Sequence, residues 1–189
     1  EKWAVMKNWI FLLIIFKFIG GALAFEKKVE VAPLDVLALP EELRFEAASA
    51  KKSEFLGSLK EIAFSAKYGM SERWKALTLL TYVQKEAAVP VLEKALESKE
   101  WFMRNAGLVG MKHVSEIEAK KSARKLLKDR ALIVRSAAVD ILAKDCDSTD
   151  RELLWAQMGE KGNFRKGQSL WIRPQIIKAL SEGALNQEL

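Results

Sequence analysis

The chain is short of nearly every residue type that carries out chemistry. One Cys and one His among 189 residues exclude an intramolecular disulfide, a Cys-ligated zinc site and a histidine-rich metal centre. Ten Gly and four Pro are too few for a collagen-like or low-complexity chain. An excess of acid is missing as well. The 31 Lys and Arg against 25 Asp and Glu give a net charge of +6, which permits weak attraction to anions but is short of a dedicated nucleic-acid binder. The one glycine-containing irregular stretch, residues 159–167, follows a helical segment and lacks Gly-Lys-Ser/Thr, so it is no P-loop. Apolar residues are plentiful, at 50% of the chain, enough to form a core and to exclude intrinsic disorder. The composition points to a binding protein with no cofactor and no enzymatic activity.

The apolar residues are unevenly distributed. Trp9 to Phe16 is an unbroken apolar run, and Phe18 to Ala24 continues it after Lys17. Met6 and Lys7 supply a positive start, and Ala22-Leu23-Ala24 has the small-x-small pattern read by signal peptidase. Residues 1–24 are therefore expected to be a signal peptide cleaved after Ala24, with Met6 the expected start and the body periplasmic or secreted. The alternative is an uncleaved N-terminal segment that anchors the body at the inner membrane, because Lys17 interrupts the apolar core. No Cys follows the run for lipidation. Residues 25–189 keep 28 basic and 24 acidic residues, a net of +4. In an oxidising compartment, the lone Cys146 is expected to be a buried small hydrophobe.

Residues 25–39, with Pro33, Pro40 and the alternation Val29-Glu30-Val31, read as an extended lead-in. Helical patterning runs from Pro40 to the end, residues 40–189. Proline suits the first position of a helix, and Glu41 and Glu42 follow with the charge that a helix N-terminus favours. Apolar spacings of three and four continue through Phe55, Leu56, Leu59, Ile62 and Ala63. No strand is expected.

Self-comparison shows a repeat. Trp101-Phe102-Met103-Arg104-Asn105-Ala106-Gly107-Leu108 superposes on Leu132-Ile133-Val134-Arg135-Ser136-Ala137-Ala138-Val139 with an offset of 31. Trp74-Lys75-Ala76 takes the same place upstream, with the Arg lost or displaced to Arg73. Leu170-Trp171-Ile172-Arg173 recurs downstream. Between these segments lie second helices ending at Leu96, Leu127 and Met158, so each unit reads as a helical hairpin led by its Arg-bearing helix. The small pairs Ala106-Gly107 and Ala137-Ala138 allow close helix crossings. An Arg near a helix start opposes the macrodipole and needs a partner. The carboxylate of the preceding turn is expected to supply it, with Glu100 serving Arg104 and Asp129 serving Arg135.

An apolar-Arg-x-Ala-small core at this spacing, with an acid in the preceding turn, resembles the short HEAT-like repeat of phycobilisome-lyase-type proteins, and the chain reads as an exported bacterial member. The resemblance covers roughly Lys52 to Leu185. It implies an all-α, right-handed α-solenoid of about four helical hairpins whose second helices line a concave face, and a scaffold that binds a protein or peptide.

Two patches are candidate contact sites. Lys120, Lys121, Arg124, Lys125 and Lys128 make a basic stripe on one second helix, suited to an acidic partner segment. Phe164, Arg165 and Lys166 place an aromatic among cations in the long loop. The preceding second helix carries Glu86, Glu93 and Glu97, so no continuous groove for nucleic acid is expected, and membrane contact is expected only through an uncleaved N-terminal segment. His113 reads as a complement to a helix C-terminus. Trp74, Trp101, Trp155 and Trp171, on or beside apolar helix positions, read as core.

Overall fold

The computed structural model describes residues 32–49 and 53–185. The expected signal segment, the expected start at Met6 and the first part of the lead-in lie outside these residues.

The described chain is mostly helical. The helices are α1 (Pro33–Ala38), α2 (Glu41–Ser49), α3 (Ser53–Phe64), α4 (Met70–Gln84), α5 (Val89–Leu96), α6 (Trp101–Val114), α7 (Glu116–Leu126), α8 (Leu132–Ala143), α9 (Ser148–Gln157) and α10 (Ile172–Leu185). A 3-10 turn, Lys85–Ala88, joins α4 to α5. No described helix is long and apolar enough to cross a membrane.

The lead-in is not extended throughout. Residues 33–38 form α1, with Pro33 in the first helical turn and Val36 and Leu37 buried. The argument that places a proline at a helix start holds for Pro33, whereas Pro40 stands just before the first residue of α2, and burial of the two apolar residues offsets the low intrinsic stability of so short a helix. A second departure is a two-stranded antiparallel pair, β1 (Phe164–Arg165) and β2 (Gln168–Ser169), in the long loop. Lys166 and Gly167 form its turn with φ of 50° and 78°, the left-handed pair that closes a two-residue hairpin.

The Arg-bearing helices α4, α6, α8 and α10 pack successively on one another, and each packs on the helix before it, α3, α5, α7 and α9 respectively. Contact with the helix that follows is weaker, and α8 touches α9 only lightly. Each Arg-bearing helix is thus in fuller contact with the helix before it than with the one after. The small residues explain why. A Cβ at Gly107 would lie 3.1 Å from the Leu92 carbonyl and the Ala95 Cβ, and one at Gly110 would lie 2.7 Å from Leu92 Cδ2. Both glycines therefore seat α6 closely on α5, the helix before it. The core between the two rows includes Leu59, Leu77, Leu80, Leu92, Met103, Leu108, Leu127, Leu142 and Ile172. At about 1.5–3 kcal/mol for each large apolar side chain removed from water, this seam is the main source of stability.

Candidate functional site

The turns entering the Arg-bearing helices are fastened to one another by arginines. Arg73 donates from Nε to the Ala63 carbonyl at 3.0 Å, and its Nη2 meets Glu100 at 2.5 Å. Arg104 donates to the Ser98 and Lys99 carbonyls at 2.8 and 3.0 Å and forms a two-point pair with Asp129 at 2.6 and 2.7 Å. Arg135 donates to the Asp129 carbonyl at 2.7 Å, to the Gly162 carbonyl at 2.6 Å and to Asn163 Oδ1 at 3.0 Å. Arg104 and Arg135 bind backbone carbonyls of the turn behind them, Arg73 binds one at the end of α3, and each reaches across to the turn ahead.

The expected partners are corrected accordingly. Glu100 serves Arg73, and Asp129 serves Arg104 through its carboxylate while offering Arg135 only its carbonyl. A side chain in the first helical turn lies beside the loop of the next unit, because neighbouring helices of the row are only about 8–10 Å apart. Arg73 is therefore the repeat arginine, 31 residues before Arg104, and Trp74 is its neighbour.

The electrostatics follow the geometry. Burial pushes the Asp129 carboxyl up, but hydrogen bonds from Arg104 and the Ala131 N–H, with the Arg104 and Arg130 charges, outweigh it and hold the group below the ordinary carboxylate range. Arg104 is held above its ordinary value, chiefly by its hydrogen bonds to Asp129. Arg135 has no such carboxylate, and burial lowers its pKa.

The basic stripe is only partly available. Lys120 donates to the Asp145 carbonyl at 2.5 Å and to Asp150 at 3.3 Å, while Arg124 pairs with Asp150 and Asp147, each at 2.7 Å. These two residues secure the start of α9. Asp150 is fully buried and shares a reciprocal capping box with Asp147. Lys121 pairs with Glu118 on its own helix at 3.0 Å. Lys125 and Lys128 are exposed and make no ion pair with a described residue. The stripe lies on and just after α7.

The loop residues also separate. Phe164 is half-buried beneath the Arg173 guanidinium, 4.5 Å from the ring centroid, so it is no free anchor. Arg165 and Lys166 are exposed at the hairpin. The fully buried Asn163 pins the loop. It accepts from Arg135, donates to the Gln157 carbonyl at 2.9 Å, and its own carbonyl accepts from the Leu170 N–H at 3.0 Å.

A cavity of about 910 Å³ lies away from the stripe. It is lined by α2, α4, the turn after α4, and α6. Phe45, Trp74 and Tyr82 form an aromatic wall, with the Phe45 and Tyr82 rings 4.4 Å apart and tilted by 36°. Ala106 and Gly110 lie across from them, Val109 is an exposed apolar face, and Glu41, Lys85, Glu86 and His113 bring mixed charge. Thr81 is committed to its own helix, its hydroxyl donating to the Leu77 carbonyl at 2.8 Å. This hollow offers apolar and aromatic contact with a polar surround, which is the usual makeup of a binding site.

His113 is exposed in the last turn of α6, where the sequence places it, and it also faces this cavity. Among the described residues no group of three or more His, Cys, Asp or Glu could hold a metal ion. Cys146 is half-buried, not buried, and packs against the core edge, where desolvation and then Asp150 raise its thiol pKa. Of the four tryptophans read as core, only Trp74 is half-buried, and Trp101, Trp155 and Trp171 are 44%, 70% and 51% exposed. Being beside an apolar stripe did not place them in it.

Phe45, Tyr82 and Val109 are the cavity residues that sequence reasoning missed. Tyr82 and Val109 sit on the solvent side of their helices, and α2 lies outside the repeat. No family model matches the chain, and no curated protein is significantly similar to it.

Proposed function

We propose that this protein is a non-enzymatic, HEAT-like α-solenoid scaffold, right-handed and built of about four hairpins, that binds an extended segment of a protein partner. The observation that carries the reading is the aromatic-walled cavity on α2, α4 and α6. Taken as the second helices of such hairpins, in keeping with their fuller contact with the preceding helices, α4 and α6 would be the ones for which the HEAT-like resemblance implies a ligand-facing role. The successive packing of α4, α6, α8 and α10, with an arginine connecting each turn to the next, supports the repeat architecture. The apolar residues of the cavity would seat one or two side chains of the partner, and its mixed charge would pair with polar backbone and side-chain groups on either side. The signal-like residues 1–24 support an exported scaffold, with a membrane-anchored subunit as the second form of the same reading. Mass spectrometry of the mature N-terminus separates them, since Phe25 as first residue means cleavage and an intact Met6 means anchoring.

Site-specific photocrosslinking in the producing cell tests the binding site. A crosslinker replacing Val109, on the cavity, is expected to trap a partner, and Tyr82→Ala is expected to reduce that adduct by about tenfold, the loss of one aromatic contact worth about 1.4 kcal/mol. A crosslinker replacing Lys125, on the former stripe, is expected to trap none. Adducts from 125 alone would move the site back to the stripe.

A further inference from the structure

The arginine connections place four inter-helix turns side by side, and what those turns present differs from the rest of the surface. Met70, Trp101, Ile133 and Trp171 stand at the start of α4, α6 and α8 and just before α10, and they are 54%, 44%, 43% and 51% exposed. Helical side chains lean toward the N-terminus of their helix, so these residues project past the helix ends toward the turns. They recur once per unit. Trp101 is held edge-on against Phe102, with centroids 6.2 Å apart at 87°, and Phe102 is itself covered by the Arg73 guanidinium. The same turns expose Lys67, Lys99, Arg130, Lys161, Arg165 and Lys166, and Lys128 joins them at the end of α7. Trp101 shares one hollow with Lys99 and Arg130, and Arg130 donates to the Lys99 carbonyl, joining the second turn to the third. Glu72, Glu97 and Glu160 are exposed beside these cations, which outnumber them, and two further acids are withdrawn, Glu100 by Arg73 and Asp129 by Arg104.

We propose that this edge docks on an anionic phospholipid surface. Tryptophan with lysine and arginine is the pairing that settles at the headgroup level of a bilayer, the indole in the interface and the cations on lipid phosphates. Exposed Met and Ile favour lipid over nucleic acid, because aliphatic side chains gain by entering the acyl boundary but have no base to stack on. Four anchors at helix spacings of about 8–10 Å give a line about 30 Å long, so the rows of helices would stand on the surface by one edge. None of the four anchors lines the aromatic-walled cavity, although Met70 borders a hollow next to it that shares Glu41, Trp74 and Thr78, and the proposal does not depend on residues 1–24.

The test uses the full chain with Cys146→Ser and a single new cysteine carrying an environment-sensitive fluorophore, at Ile133→Cys on the edge or at Trp155→Cys away from it. Vesicles of equimolar phosphatidylcholine and phosphatidylglycerol are expected to blue-shift the label at 133 and to expose it to quenchers attached to lipid, with the effect fading as salt is raised. The label at 155 is expected to stay in water. Because the readout is local, attachment through residues 1–24 alone would leave 133 unchanged. Lys99→Glu/Arg165→Glu/Lys166→Glu, all at exposed positions, is expected to weaken the response by roughly 100-fold or more, since each cation beside an anionic bilayer contributes about a fivefold factor. A label at 133 that stays wet with these vesicles, that responds equally to pure phosphatidylcholine, or that responds to a DNA or RNA oligonucleotide instead would overturn the proposal.

Discussion

Arg104 and Asp129 are the pair on which most depends at the level of single residues. Both side chains are below a tenth exposed, and each would leave an unpaired buried charge if the other were removed. Asp129→Ala is expected to destabilise by about 3–5 kcal/mol, measured by urea unfolding. The effect has a definite pH dependence. The carboxyl is held below its unfolded value, so its contribution is complete at neutral pH and is lost as pH falls through the folded pKa. Asp129→Asn should therefore lower stability at pH 7 yet narrow its gap to wild type below about pH 4, near the unfolded value. A constant gap down to pH 2 would contradict that assignment. The arginine positions were legible because the residue type recurs at a fixed offset. Their direction was not, since Arg104 has an acid four residues behind it and another 25 ahead, and sequence distance favours the nearer one. Which acid is in reach depends on the spacing of neighbouring helices.

At the level of elements, helix α9 is the one most dependent on polar contacts. It packs only lightly on α8, and its start is held by the Asp147–Asp150 capping box with Arg124 and Lys120. Asp150→Ala is expected to cost about 2–4 kcal/mol, and amide exchange should rise chiefly across 148–157, the signature of local opening. Lys121→Ala, on the exposed pair with Glu118, should change stability by less than about 0.5 kcal/mol. Uniform acceleration over α6 and α8 in the Asp150 variant would show that α9 is more tightly integrated than this. Element types were readable from apolar spacing, and the ends of α5, α7 and α9 fall within a residue of the expected ones. Which neighbour each Arg-bearing helix packs on more fully was not readable, because these helices carry apolar residues broad enough for both, and for α6 the close crossing at Gly107 and Gly110 favours the helix before it. The six-residue hairpin at 164–169, with two residues in each strand, was too short for any alternation to reveal, although Lys166-Gly167 is its one sequence mark.

Across the whole chain, the proposed repeat architecture predicts graded loss. Ending the chain after Lys144 removes α9 and α10, and Arg135 then loses Asn163 and Gly162. Because units in an array contact only their neighbours, α3 to α6 should still melt cooperatively, at a lower temperature, when followed by circular dichroism. Loss of any cooperative transition would argue for one undivided core. The cavity was the least legible feature, because it is assembled where α2, outside the repeat, meets the exposed sides of two repeat helices, and no periodicity joins Phe45 to Tyr82 and Val109.

The forward reach of the arginines also sets an order of events during synthesis. A chain made from its N-terminus delivers each guanidinium before the carboxylate that receives it, by 27 residues for Arg73 and Glu100 and by 25 for Arg104 and Asp129. At ordinary rates of elongation that is an interval of roughly 1–5 seconds. Throughout it Arg73 or Arg104 has only the carbonyls behind it for partners, and its charge is paired once the turn ahead has been made.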